Sequence, residues 1–572
     1  MQYLTLKKYM YTIIPILLLL IYIGSLIGMI AIHYHELIAI PDINIYDVAK
    51  QYNWLYWLES SNVQQTIFSN LLQYLDINHF HSRGIIPIVV NLGFIFLLAF
   101  LITKIIYCLF NTKKHTLITQ NILIFFTLIF LFSAIQDSSI VWLFNQQLFA
   151  AFFFPLLSYY LLVRSSLTIS HNYSYLFLFS NIMILLTSPY HFSAFIILIF
   201  IGYILKIKIK VFISIFIFAC LSFIIQFDNI IHNINIVHKL GMGNVILYIL
   251  NYLGALFSYL SFEPCIATSS VLGGIFIIVT FVYFTYLLLS KKSTETIYFS
   301  ILAYLFFYIL TAFRSLDKIG HEDIIIFQNQ YMTPSLISWS LIIILYVHHF
   351  ANKLILQRRI LTLSSTLIIV LFFYQIITYN NYEKKISDFK FAIVSLKSNI
   401  YDKNTLRCLL NQTYTMTYCP SKDIKKKMSM FTYWDIRMQT IQDKSNLIYK
   451  HNLFALSTSF NKNKVQQKHN LGKSLFGHMD TISHINAENK LISLHGWVYN
   501  VKETTVPRWL SVVDDSGTIV GYIVTGSVRK DIAHIYGKDA LYSGFSGYIK
   551  YTKAPKKLFL TDTLGNKILE LM

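Results

Sequence analysis

Long apolar runs alternate with short polar breaks through the first two thirds of the chain. Runs of spanning character fall near residues 11–32, 85–110, 116–135, 140–163, 174–188, 192–206, 210–226, 270–290, 296–313, 334–350 and 360–379. A helix needs roughly 20 apolar residues to cross the hydrocarbon of a bilayer, so the pattern predicts about eleven transmembrane helices, several of them short. A further apolar segment, residues 244–260, reads as a re-entrant or interfacial helix. Counting it as a crossing would move Lys291 and Lys292 to the wrong side.

Beyond Tyr379 the pattern changes twice. Residues 380–480 mix helical and loop character and carry basic runs such as Lys425-Lys426-Lys427, without a catalytic spacing. From Ile482 short alternating segments follow one another: "KLISLHGWVYN", "RWLSVVDDSG", "TIVGYIVTGS", "GFSGYIKYT" and "KKLFLTDTLGNKILEL". Side chains with a period of two, broken by Asp515-Ser516-Gly517 and Leu564-Gly565-Asn566, predict an antiparallel β-domain, read as a small sandwich. The expected organisation is a helical membrane domain (1–379), an extracytoplasmic mixed segment (380–480) and an extracytoplasmic β-domain (481–572). Trp497 and Trp509 read first as core or sheet-face aromatics and second as sugar-stacking platforms.

Composition fits a chain that lives in lipid, with 55% hydrophobic and 13% charged residues among 572. A formal charge of +20 would suggest nucleic acid in a soluble protein, but its placement removes that reading. Of 47 Lys and Arg, 28 follow Tyr379 and the other 19 lie mostly in short loops. With the N-terminus inside, the cytoplasmic segments hold 13 of these and the short outer loops five, as the positive-inside rule requires. The first run is longer than a signal-peptide core and lacks a small-residue cleavage site, so it reads as a retained helix. An odd number of crossings then exports everything after Tyr379. Cys408 and Cys419, in "CLLNQTYTMTYC", are expected to close a disulfide there, worth about 2 to 3 kcal/mol.

Of the twelve acids before Tyr379, this topology puts eleven outside; only Glu295 is cytoplasmic. The first outer loop, about 50 residues, opens with "IHYHELIAIPDINIYD", bearing Glu36, Asp42 and Asp47. From Asp47, Val48, Tyr52, Leu55 and Glu59 recur at helical spacing beside Trp54 and Trp57, a pattern suited to a helix lying in the interface. A carboxylate held there can take the proton of a sugar hydroxyl that attacks the anomeric carbon of a lipid-phosphate sugar. The leaving phosphate would need cations, and Arg314, Lys318 and His321 in "FRSLDKIGHEDIIIFQNQYMTPS" have the right chemistry. His33, His35 and Asp42 form a loose set for a divalent cation, too irregular to assign a metal or any other cofactor.

This organisation resembles bacterial integral-membrane glycosyltransferases of the GT-C class, particularly those that modify O-antigen and other cell-envelope polysaccharides. Local echoes are "SNLLQYLDINHF", "VWLFNQQLFA", "YLGALFS" and "QNQYMTPSLISW". The resemblance covers residues 1–380 and is mainly architectural. It implies an inner-membrane enzyme with a large acidic first outer loop and an extracytoplasmic C-terminal domain. Its partners would be a polyprenyl-phosphate-linked sugar donor, an envelope glycan acceptor and the bilayer, with Gln330 and Tyr331 added to the donor-phosphate set. Members similar to this chain carry Glu-His-Arg before the first echo and Arg before the Tyr of the last; here Val63-Gln64-Gln65 and Gln330-Tyr331 stand instead. Asp42, Asp47 and Glu36 are therefore chosen as catalytic candidates on position and chemistry alone. Two other readings compete: an O-antigen polymerase or ligase, which would lean on basic outer loops, and a transporter or flippase of lipid-linked sugars, which would bury ionisable groups within its spans.

Overall fold

The computed structural model describes residues 67–80, 85–110, 117–133, 146–167, 171–188, 190–255, 266–290, 297–314, 332–349, 475–486, 491–502, 504–506, 509–517, 519–550, 557–561 and 567–570, with isolated positions in 20–27 and at 366 and 373. The described chain is mostly helical and ends in an antiparallel half-barrel sheet.

The helices are α1 (Ile67–Phe80), α2 (Ile85–Phe110), α3 (Leu117–Leu131), α4 (Gln146–Leu167), α5 (His171–Thr187), α6 (His191–Ile204), α7 (Ile209–Leu240), α8 (Met242–Leu253), α9 (Ile266–Ser290), α10 (Tyr298–Arg314) and α11 (Met332–His349). Two stretches, Ile85–Phe110 and Ile209–Phe227 of α7, are long and apolar enough to cross a membrane by length and composition. Seven other helices carry described apolar stretches of 10–17 residues, among them α4, α9 and α11, whose full lengths are 22, 25 and 18 residues. At about 1.5 Å per residue, an apolar stretch of such length falls short of a hydrocarbon layer about 30 Å thick, so two of the expected eleven spans meet the length and composition of a crossing among the described residues. Their cores nevertheless merge. Leu98, Ile102 and Ile106 of α2, Phe126 and Phe130 of α3, Phe149 and Leu156 of α4, and Tyr304 and Leu305 of α10 belong to one buried cluster.

Two helical features depart from the sequence pattern. The helix that starts at Ile209 does not stop near 226 but runs to Leu240, where Gly241 at φ 79° ends it. Beyond that break α8 occupies 12 residues, which keeps the segment expected to be re-entrant well below spanning length. It packs against α9 and α10. Contact with α9 depends on Gly273: a Cβ there would stand 1.9 Å from the Leu250 carbonyl oxygen, so any other residue forces the two backbones apart.

The β-domain is one seven-stranded antiparallel sheet in the order β1-β2-β5-β4-β3-β6-β7, not the two packed sheets of a sandwich. Its strands are β1 (Leu475–Asn486), β2 (Leu491–Asn500), β3 (Trp509–Asp514), β4 (Ile519–Ser527), β5 (Gly544–Lys550), β6 (Leu558–Thr561) and β7 (Lys567–Glu570). Alternation gives one face to Leu494, Val498, Leu510, Val512, Ile523, Phe545, Ile549, Leu558 and Leu560, a continuous core. A single curled sheet buries this face within its own curvature, so no second sheet is needed. The Asp515-Ser516-Gly517 turn forms as its residues demand, with Gly517 at φ 79° and its N–H on the Asp514 carbonyl at 3.0 Å. Strands β6 and β7, which flank Leu564-Gly565-Asn566, pair antiparallel. Strand β1 starts before the boundary expected at 481. Between β4 and β5 lie the short helix α12 (Lys530–Tyr536) and a 3-10 turn (Lys538–Ala540).

Candidate functional site

The last turn of a helix leaves its carbonyls without intrahelical donors. At the end of α8 two of them are taken by side chains from other helices. Tyr308 of α10 donates its hydroxyl to the Tyr252 carbonyl at 3.0 Å, and the Trp339 indole of α11 donates to the Leu253 carbonyl at 3.0 Å. The Tyr252 and Thr311 hydroxyls meet at 3.3 Å, and Ser270 of α9 donates to Asn251 Oδ1 at 2.9 Å. Phe276 of α9 sets its ring edge-on to Tyr308 and Trp339, with centroids 5.6 Å and 5.5 Å away. Four helices thus converge on one polar and aromatic junction. It joins two of the segments that carry the family resemblance, "YLGALFS" at Tyr252 and Leu253 and "QNQYMTPSLISW" at Trp339.

The wall of the junction is rich in buried hydroxyls. Thr333, Ser335, Ser338 and Ser340 of α11 are all fully buried, as are Tyr304 and Thr311 of α10. Ser340 and Thr311 satisfy themselves on the carbonyls of Leu336 and Tyr308. Tyr304 Oη, Thr333 Oγ1 and Ser338 Oγ have no hydrogen-bond partner among the described residues. Leaving a buried polar group unmet costs about 1–3 kcal/mol, so each of these hydroxyls calls for a partner beyond the described residues. Aromatic rings border one of them: Tyr304 lies against Phe152 and Phe307, and Phe152 in turn against Tyr190.

The expected site residues relate to this junction through chain connectivity. Arg314 is the last residue of α10, and Met332 opens α11 immediately after Gln330 and Tyr331. The two helices pack together, so the candidate phosphate-binding segment connects two elements of the junction. Lys318, His321, Gln330 and Tyr331 lie outside the described residues, as do Glu36, Asp42, Asp47, Cys408 and Cys419. So do His33, His35 and Trp54. Among the described residues no group of His, Cys, Asp or Glu has the composition of a metal site.

Several ionisable groups that the sequence left unassigned are buried in the helical half. Asp76 of α1, counted among the outward acids, is 2% exposed and accepts the Ile86 N–H at 3.0 Å. A carboxylate at that point meets the free N–H groups and positive end of α2. His348 of α11 has its Nε2 2.9 Å from the Leu109 carbonyl, and a carbonyl can only accept. Nδ1 is therefore the acceptor, and the Tyr298 hydroxyl donates to it. His191 at the start of α6 pairs through Nδ1 with Ser222 of α7.

In the β-domain, His495 of β2 meets Ser546 of β5 at 3.0 Å through Nδ1. Burial lowers its pKa, partly opposed by the negative charge of Asp480. Arg529 bridges Asp480 at 2.5 Å and Asp531 at 2.6 Å. Its hydrogen bonds pull the Asp531 carboxyl down to about 2. Trp497 is half-buried beside Tyr536 of α12, centroids 5.9 Å apart, which matches its first reading as a sheet-face aromatic.

Comparison with protein-family models, with curated proteins and with solved structures gives no match for this chain.

Proposed function

We propose that the chain is a polytopic membrane glycosyltransferase that moves a sugar from a polyprenyl-phosphate-linked donor to a cell-envelope glycan on the outer side of the bacterial inner membrane. The observation that carries this reading is the set of buried hydroxyls on α10 and α11, Tyr304, Thr333 and Ser338, that have no partner among the described residues, with Tyr304 lying against the rings of Phe152 and Phe307. Hydroxyls that give and accept hydrogen bonds, set beside flat apolar faces, suit a sugar ring attached to a lipid. The segment 315–331 connects α10 to α11, two helices that pack together, which suits a role of Arg314, Lys318, His321, Gln330 and Tyr331 on the donor phosphate. Asp42, Asp47 and Glu36 supply the candidate general base.

Export of the chain after Tyr379, an extracytoplasmic β-domain and the Cys408–Cys419 disulfide belong to the same proposal. A transporter of lipid-linked sugars is the second reading, favoured by the buried Asp76, His191 and His348. Each of these lies near a helix end and is held in an interhelical hydrogen bond, as a structural tie would be. The test is the mass of envelope glycans from cells with and without the protein. A mass difference of one sugar per acceptor unit is expected, with lipid-linked donor accumulating on the outer leaflet; the same difference with donor held on the inner leaflet would favour transport, and identical masses would overturn both.

A further inference from the structure

Large hydrophobic side chains that stay exposed on the β-domain are unevenly placed. Among the described residues Phe476, Ile482, Val501, Val528, Ile535 and Tyr542 make up that set. Strand register locates four of them, and helix α12 a fifth, at one pole of the sheet. Phe476 opens β1 opposite Tyr499, near the end of β2, and Val501 follows that end directly. Ser527, which closes β4, pairs with Gly544, which opens β5, so Val528 and Tyr542 lie just beyond the same edge. The Arg529 N–H on the Leu541 carbonyl, at 2.7 Å, ties the two connections together. Helix α12 lies over this pole, since Tyr536 touches Phe476, Trp497 and Tyr499 with centroids 5.7–6.3 Å apart. Ile532 faces inward from α12, while Ile535 faces outward and is 70% exposed.

We infer that this pole is a membrane-docking surface: the β-domain rests on the bilayer, with Val501, Val528, Ile535 and the Phe476 and Tyr542 rings in the headgroup region. The inference rests on the proposed membrane location of the helical half. Its occupant is read from chemistry. Three of the five side chains include branched aliphatics, which do not stack on sugar rings but do partition into lipid. Trp497, the broad ring that a glycan would use, is partly covered by Tyr536. Arg529 is engaged by Asp480 and Asp531, so the exposed Lys502, Lys530 and Lys538 remain as cations suited to anionic headgroups. A phenol at the rim suits the same interface. Tethering by the helical half removes most of the cost of finding the surface, so modest apolar contact suffices.

The test uses the full chain in bilayer nanodiscs, with the native cysteines replaced and an environment-sensitive fluorophore at Ile535→Cys or, as control at the far end of β1, at Ile482→Cys. Nitroxide lipids are expected to quench the probe at 535 and leave the probe at 482 unquenched. A nitroxide near the headgroup should quench more than one at the chain terminus. Adding Val528→Asp should abolish the quenching, whereas high salt should leave most of it, because apolar contact dominates. Retention of the chain in alkaline-washed membranes is measured in parallel. Release by the wash would overturn the membrane reading itself. Retention with an unquenched probe at 535 would overturn the docking surface alone, and a blue-shifted but unquenched probe would assign the pole to a glycan or protein instead.

Discussion

Unmet hydroxyls separate a ligand site from a packed core at the scale of single residues. Replacing a partnerless buried hydroxyl by an apolar isostere removes its desolvation cost and should hold or raise stability. Thr333→Val and Ser338→Ala are therefore expected to leave the thermal midpoint of the detergent-solubilised chain unchanged or higher. If these groups hold the donor sugar, the same variants lower glycan modification in cells. Lower stability together with unchanged modification would make them structural. His495 gives a prediction in pH. Its folded state binds a proton less readily than the unfolded chain, so acidification favours unfolding. Its effect is absent above the ordinary histidine value of about 6.5, grows as pH falls through it, and levels off below the depressed folded value. Asp531 acts in a separate window: its contribution is full above the ordinary aspartate value of 3.8 and disappears as pH falls through about 2. Unfolding of the full chain followed by tryptophan fluorescence should thus show loss of β-domain stability just below neutrality, and His495→Gln should flatten that slope.

Elements meet at α8, and their joints can be broken one at a time. Trp339→Phe or Tyr308→Phe strips the donor from the Leu253 or Tyr252 carbonyl and should cost about 1–3 kcal/mol, read as a lowered thermal midpoint. Gly273→Leu should cost more, because the obstacle is the Leu250 carbonyl rather than a side chain that can rotate away. Ser340→Ala, on the outcome of a hydroxyl satisfied within its own helix, serves as the neutral control. Most of these elements were legible as apolar runs: α2 through α7 and α9 through α11 each fall on a predicted stretch, because uninterrupted Ile, Leu and Phe leave no other economical backbone arrangement. What escaped was held by tertiary contact rather than by pattern. Helix α1, "IFSNLLQYLDINHF", is half polar and is fixed by Asp76 on α2 and by Phe68 against Phe94. The end of α7 carries Asp228, His232 and Asn233, which read as loop. Strand β1, "LFGHMDTISHIN", is an edge strand whose polar positions obscure its alternation. Sheet or sandwich could not be decided from period-two alternation, since both bury one face. The junction at α8 was equally invisible, because its side-chain-to-carbonyl bonds join residues more than 50 positions apart.

At the scale of the whole molecule, the proposed sugar transfer requires one acid of the first loop to take a proton, and the candidates have different kinds of support. Position and chemistry rank Asp42 first: Pro41 restricts the backbone before it, and the expected interfacial helix follows. Asp47 lies five positions further, a little over one helical turn, and Glu36 precedes both. Asp76 was one more acid in that outer set, and its buried contact with the Ile86 N–H assigns it to capping rather than proton transfer. A solubilising carboxylate on a loop can be exchanged for its amide with a few tenths of a kcal/mol at stake and no loss of activity. A general base cannot, because removing it slows transfer by about 10²- to 10⁴-fold while the protein stays folded and inserted. Cells expressing Asp42→Asn, Asp47→Asn or Glu36→Gln at normal membrane levels should therefore separate the three by the mass distribution of their envelope glycans. The variant lacking the base should leave acceptors unmodified, with Asp42→Asn expected to be the most severe. Asp76→Asn, which keeps an oxygen for the Ile86 N–H, should modify them normally. Wild-type glycans from all three candidate variants would place the base outside the first loop and remove the main chemical argument for glycosyl transfer.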